Sequence, residues 1–433
     1  MQKNNEEERI VDLHIHSHYS RATSKNMNIE SLYRWGKIKG IEIMGTGDFT
    51  HPQWFAELRN KLEPAEPGLF KLKSQYAQEQ DGLIPESCKQ NLMRFVLTVE
   101  ISNIYSKNGS VRKLHNLIVV PNFESASRIN AQLSRIGNLR ADGRPILGMD
   151  SKNLLKITLE ADQDALFIPA HIWTPWFAMF GSNSGFDSIE EAFGELSSHI
   201  HAVETGLSSD PFMNWRLSQL DKITLVSNSD AHSPQKLARE ANIIKSKLDY
   251  YDIVNGLKTN DERIVGTVEF FPEEGKYHYD GHRLCGVRCT PLETEKYNGL
   301  CPVCKRPLVV GVQNRVNKLA DRPSDYRPKT HKLVEYIIPL VEILSEIKNV
   351  KSTGSKAVEA EYEKVISEHG SEFDILRKVP VDDLHHNGFT QLAHALAKMR
   401  KGDVHVEPGY DGVFGTVKVF GEEKSENEQL KLI

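Results

Sequence analysis

Two short motifs carry the chemistry of this chain. His14 and His16 close one apolar run with a single residue between them, and Asp230 and His232 repeat that spacing at the end of another. On a strand, residues two apart project from the same face, so each pair can hold one ion or two adjacent ones. Glu100, His115 and His171 each stand beside a further β-rich run, and Asp48 follows yet another. Imidazoles mixed with hard carboxylate oxygens suit Zn, Mn or Fe, and a set of His14, His16, Asp48, Glu100, His115, His171, Asp230 and His232 exceeds what one ion accepts. Two or three clustered divalent ions are therefore expected, with Mg able to assist. Clustered ions lower the pKa of water and clamp a phosphate, so the reaction class is phosphoester hydrolysis. Asp230, Glu100 and His171 are the expected catalytic residues. Other histidines, including His199, His201, His278 and His282, lack a strand-end setting and read as surface or core residues.

A second constellation is Cys285-x3-Cys289-x11-Cys301-x2-Cys304. Two thiolate knuckles on a short loop close a tetrahedral site with no position left for substrate, which predicts one structural Zn. Only Cys88 stands apart, and so few cysteines indicate a reducing compartment.

The elements that must position these groups follow from short β-rich runs at Ile10–Ile15, Ile41–Gly45, Phe95–Ile101, Asn116–Val120, Ala165–Pro169, Ala202–Glu204 and Ile223–Ser227. Helical patterns at Ile29–Lys39, Glu124–Ile136, Ser188–Ser197 and Pro211–Leu220 lie between most of them. The alternation predicts an α/β fold, a barrel of seven parallel strands whose ends converge on one face. Lys61 to Asn91 reads as a surface excursion. Beyond residue 266 the register changes. The expected division is a barrel over 1–266, a four-cysteine zinc lobe over 267–312 and a mainly helical module over 313–433, with helices at Leu333–Lys348, Ala357–His369 and Gln391–Met399 and a strand-like Val413–Phe420.

With 39% hydrophobic and 26% charged residues the composition is that of a globular protein, and a net charge of -5 excludes coating of nucleic acid by bulk charge. No run approaches ~20 apolar residues and no apolar leader segment precedes Arg9, so a cytoplasmic, nucleoid-associated protein without a membrane partner is expected. Locally the balance reverses, with eight Lys/Arg against Asp321 and Asp325 between Lys305 and Lys332. Lys305 and Arg306, and Arg21 and Lys25 just after His16, are expected phosphate contacts. The aromatic loop after His171, with Trp173 and Trp176, is an expected contact for bases.

Asp12-Leu-His-Ile-His16, Ser229-Asp-Ala-His232 and the intervening Glu100, His115 and His171 resemble the PHP (polymerase and histidinol phosphatase) family over residues 10 to about 265. The resemblance implies a distorted seven-stranded β/α barrel around a multinuclear metal centre. One departure is Gly47-Asp48-Phe49-Thr50-His51, where many members carry an Asp-His pair; Asp48 is the preferred ligand and His51 its alternative. Small monoesters and nucleic acid strands both remain open as substrates of such a barrel, and a histidinol-phosphate-type phosphatase is the alternative reading. A small metabolite, however, has no need of a zinc lobe, a basic stretch and a helical module.

The full arrangement resembles the endonuclease Q family, as do Arg21-Ala-Thr-Ser-Lys25, Glu204-Thr-Gly-Leu-Ser-Ser-Asp-Pro211, Asn214-Trp-Arg216 and Gly409-Tyr-Asp-Gly-Val-Phe-Gly415. This resemblance implies a repair enzyme that nicks DNA on the 5′ side of a deaminated or missing base (hypoxanthine, uracil, xanthine, abasic site) and leaves 3′-hydroxyl and 5′-phosphate ends. The chain closes on Gln429-Leu-Lys-Leu-Ile433, similar to the pentapeptide by which bacterial proteins dock on the sliding clamp, with Ile replacing the final Phe.

Overall fold

The computed structural model describes residues 7–421. Seven strands form a closed ring: β1 (Glu7–Asp12), β2 (Ile43–Gly45), β3 (Arg94–Lys107), β4 (Ser110–Val120), β5 (Leu166–Pro169), β6 (Ala202–Glu204) and β7 (Thr224–Val226). β1, β2 and β3 pair in parallel, and β6 pairs in parallel with β7. Ile172 N, beyond the end of β5, donates to O of Glu204, the last residue of β6, and a parallel bridge between Ile15 and Ala231 closes the ring from β7 back to β1. Helices Ile29–Lys39, Phe123–Leu133 and Ser151–Ala161 pack outside. Each begins at a side-chain cap, from Asn28, Asn122 and Asp150, which accepts a hydrogen bond from an otherwise unpaired backbone N–H.

The expectation of uniformly parallel strands fails at one place. β3 and β4 are a long antiparallel hairpin running from Leu97↔Val120 to Lys107↔Ser110, and β4 is antiparallel to β5 as well. The turn is Asn108-Gly109, with φ of 54° and 73°, the left-handed pair that a two-residue hairpin requires. This hairpin distorts the barrel and places His115 inside β4 rather than at its opening.

Lys61 to Asn91 is not a surface excursion. Its strands Leu62–Pro64 and Phe70–Leu72 extend the sheet beside β3, and Leu62, Phe70, Leu72, Ile84 and Cys88 are buried in the main core.

β8 (Ala241–Ser246) pairs antiparallel with β1 and with β9 (Ile264–Glu269), and β9 receives β10 (Leu333–Tyr336) in parallel. Leu333–Tyr336 was expected to open a helix; the helix instead starts at Leu340, after Pro339. Helices Lys356–His369 and Thr390–Met399 follow close to expectation. Val358, Val365, Leu392 and Leu396 share one apolar cluster with the barrel, and Lys39 pairs with Glu372 at 2.9 Å. Thr416–Lys418 pairs with His405–Glu407. Between these parts a small lobe is built on the hairpin of Asp280–His282 and Val287–Cys289. Among the described residues no helix is long and apolar enough to cross a membrane.

Candidate metal centre

The chain leaving β1 carries His14 and His16 into the barrel mouth, both fully buried. Nδ1 of His14 lies 3.0 Å from each oxygen of Glu204. Glu204 is held in turn by Asn228 Nδ2 at 2.9 Å and by the backbone N–H of His171 at 2.8 Å. This turns Nε2 of His14 inward, 3.5 Å from Glu100 and 3.8 Å from Asp230. Nδ1 of His16 meets Asp48 at 3.1 Å, and its Nε2 lies 3.2 Å from Glu100 and 3.1 Å from Asp230. Donor atoms of His14, His16, Glu100 and Asp230 all lie within 4.8 Å of one another.

A second group shares Glu100. Its Oε1 is 2.6 Å from Nδ1 of His115 and 3.1 Å from Nε2 of His171, while its Oε2 faces His14 and His16. One carboxylate thus stands between two donor sets, the arrangement by which neighbouring ions share a ligand.

Burial opposes charge on His14, yet Glu204 and Glu100 outweigh it and hold the imidazolium well above its ordinary range; Asp48, with Asp230 and Glu100, does the same for His16. Glu100 is held well below the carboxylate range against its own burial, by His115, Arg144 and His14. Burial pushes His115 down to about 4, although Glu100 beside it acts against the fall. The centre therefore requires positive charge. His14 Nε2, His16 Nε2 and Asp230 Oδ1 are buried without a hydrogen-bond partner, which fits donor atoms waiting for divalent cations rather than a closed hydrogen-bond network.

Three residues at the rim, Asp48, His171 and Asp230, have positive φ of 53°, 28° and 46°. Backbone strain of this kind collects where a side chain must be aimed.

Not every expected ligand joins these groups. Asp48 stands behind His16, and its Oδ2 accepts from Ser17 N at 2.7 Å, Ser17 Oγ at 2.6 Å and Ser20 Oγ at 2.9 Å; with its acceptor sites so used, it orients His16 instead of facing the centre. His51 stacks on Tyr19 at 4.3 Å and also lies outside. His232 sits at the edge, its ring 4.5 Å from that of His16 and its Nδ1 2.9 Å from Asp230 O. Two participants went unrecognised in the sequence. Glu204 was seen as a strand end but not as the partner of His14. Arg144, which donates to Glu100 at 3.0 Å, lies in a loop that carries no periodic signal.

In the small lobe the donors within 4.8 Å of one another are His282, Cys285, Cys301 and Cys304. Cys289 lies outside this grouping, buried with Cys301 and Leu308 in the lobe's apolar core. A legible signal existed: His282-x2-Cys285 matches the spacing of Cys301-x2-Cys304.

Of the expected DNA contacts, Arg21, Lys25, Lys305 and Arg306 are exposed, and Trp176 is 39% exposed. Trp173 is not available. It is fully buried against Phe180, and its Nε1 donates to Asn214 at 2.8 Å. Part of the basic stretch is likewise engaged internally. Arg315 donates to Phe180 O and Phe186 O, Arg322 pairs with Asp221, and Arg327 lies over the Phe212 ring.

Residues 339–403 match the family described as the MJ0043 C-terminal domain. The chain is 30% identical over 278 residues to the uncharacterized protein MJ0043 of Methanocaldococcus jannaschii, an alignment that covers 60% of this chain and 33% of that one, so it spans about a third of that relative's length. It is 28% identical over 420 residues to the uncharacterized protein YqxK of Bacillus subtilis, covering 94% and 98% of the two chains. Among solved structures, the lesion-specific endonuclease PfuEndoQ of Pyrococcus furiosus superposes with a TM-score of 0.81 at 27% identity over 99% of each chain. An endonuclease Q complex with a 27-mer duplex substrate bearing an abasic lesion at the active site gives 0.80 at 28% identity, over 95% and 96%. Over nearly its full length the chain is similar to endonuclease Q. The similarity to endonuclease Q runs through the barrel, the small lobe and the C-terminal helices alike.

Proposed function

We propose that the protein is a metal-dependent endodeoxyribonuclease of DNA repair that hydrolyses the phosphodiester 5′ to a deoxyinosine, deoxyuridine, xanthine or abasic nucleotide, leaving 3′-hydroxyl and 5′-phosphate ends. The observation that carries this reading is the convergence of His14 Nε2, His16 Nε2 and Asp230 Oδ1, all buried and unpartnered, around the shared carboxylate Glu100. His14, His16 and Asp230 would hold one divalent ion and His115 and His171 a second, with Glu100 within reach of both. Such ions supply a lowered pKa for water and positive charge against the phosphate.

The protein's own groups then have distinct tasks. Glu204 and Asp48 fix the rings of His14 and His16. Arg144, half-buried beside Glu100, carries a permanent charge toward a scissile phosphate at the mouth. Arg21, Lys25, Lys305 and Arg306 hold flanking phosphates. A base inside a duplex hides its pairing edge, so the damaged nucleotide is extruded into the mouth, and the weakened pairing of a lesion lowers that cost. Zinc in the small lobe folds a segment too short to build its own core. The tail Gln429–Ile433, outside the described residues, docks on the sliding clamp; its deletion should abolish co-elution with the clamp and spare nicking of short oligonucleotides.

The deciding experiment offers the metal-loaded protein a 5′-labelled strand with one deoxyinosine, the undamaged strand and a small phosphate monoester, alongside Asp230→Asn. A nick beside the lesion alone, lost in the variant, is expected. Fast turnover of the monoester without a nick would favour a metabolite phosphatase instead.

A further inference from the structure

The loop Gly409–Gly415 holds an aromatic side chain outward on a rigid mount. Tyr410 and Val413 exchange backbone hydrogen bonds at 3.0 and 2.8 Å, with Asp411 and Gly412 between them at φ of 41° and 84°, the geometry of a two-residue hairpin turn. The base of the loop is pinched. A Cβ on Gly409 would meet Gly275 O at 2.4 Å, and one on Gly415 would meet Glu273 O at 2.3 Å, so both positions accept only glycine. Gly409, Gly412 and Gly415 N–H groups donate to Glu273, Lys276 and Glu274 carbonyls. On this mount Phe414 is 63% exposed and Val413 39% exposed. A flexible tip could hide such side chains, but this one cannot, and apolar groups held rigidly in water mark a contact surface.

The mount is joined to the metal centre by a run of rings. Phe177 packs on the ligand His115 at 4.8 Å, the adjacent Trp176 meets Tyr277 edge-on at 5.6 Å, and Lys276, next to Tyr277, lies 4.5 Å over Phe414. Lys113 lies over Phe177 at 5.4 Å, and the guanidinium of Arg283 stands beside Gly412. Aromatic faces interleaved with cations suit a nucleic acid, whose bases stack while its phosphates pair with the charges.

We propose that Phe414, backed by Val413, enters the duplex at the lesion and fills the space vacated by the extruded nucleotide, with Lys276 and Arg283 on the adjoining phosphates. This rests on the endonuclease reading above, and it assigns the stack-opening side chain to the C-terminal hairpin rather than to the loop after His171.

The test compares single-turnover nicking of a deoxyinosine in a fully paired duplex with the same lesion inside a small unpaired bubble. In the bubble there is no stack to open. Phe414→Ala should slow the duplex reaction about tenfold or more and leave the bubble reaction near the wild-type rate, while Phe414→Trp restores the duplex rate. Equal rates on the duplex, or an equal loss on both substrates, would overturn the wedge. A wild-type protein that nicks neither substrate would instead remove the endonuclease reading itself.

Discussion

At the scale of single residues, the centre depends on groups that touch no substrate. His14 presents Nε2 to the centre only because Glu204 takes its Nδ1, and the same carboxylate also anchors the backbone of His171. Loss of a partner of this kind typically costs 10–100-fold in metal affinity. Glu204→Ala should therefore weaken metal binding by about that factor in a titration of the metal-free protein, and Glu204→Gln, which keeps a hydrogen-bonding oxygen, should weaken it less. Trp173 and Trp176 are three residues apart and have opposite surroundings. Trp173→Ala removes a fully buried ring and its hydrogen bond to Asn214, which should cost about 3–5 kcal/mol and be visible as a lowered Tm. Trp176→Ala should leave Tm nearly unchanged, since its ring is partly in solvent.

At the scale of elements, β8 and β9 hold a buried conflict. The pair Ala241↔Val268 places Glu240 across from Glu269, both with no exposed surface, and neither oxygen of Glu240 has a donor. Burial, then the neighbouring Glu269, holds Glu240 well above its ordinary range; burial lifts Glu269 to about 8 although Thr267, Ser227 and Thr205 act against the rise. The folded protein thus keeps protons that the unfolded chain releases at about pH 4.3. Between that pH and about 8 the native state binds more protons, so stability falls as pH rises through this window. Glu240→Gln removes one of the two acids and should flatten the decline, gaining most at pH 8 and little at pH 5. Urea midpoints at the two pH values measure it.

At the scale of the whole molecule, three parts are tied by specific contacts. β10, which follows the small lobe, completes the barrel's outer sheet, and Arg315, Arg322 and Arg327 fasten the segment ahead of it to the barrel. In the lobe between, the donor grouping gives a direct expectation. If the lobe holds zinc as proposed, His282→Ala should lose it by metal analysis, and Cys289→Ser should retain it while losing packing. Retention in the first variant and loss in the second would restore the four-thiolate arrangement.

The strand ends that carry candidate ligands were legible in the sequence because each puts a polar donor at the close of an apolar run, and the period of a strand is short enough to read locally. His14, His16, Glu100, His171 and Asp230 were marked in this way and His115 at the opening of a run, and the six meet in space. The Asn108-Gly109 hairpin was also readable from its turn residues, although alternation of strands and helices elsewhere argued for parallel pairing. Only the tertiary structure could decide which donors face inward and which stand behind. Asp48 turned to His16 because three hydroxyl and amide donors reach its other oxygen, and Trp173 was buried because Asn214, forty-one residues away, satisfies its indole. Spacing along a chain fixes which groups can share a face, but the partner that each group meets is set by segments distant in sequence, and those distances close only when the barrel does.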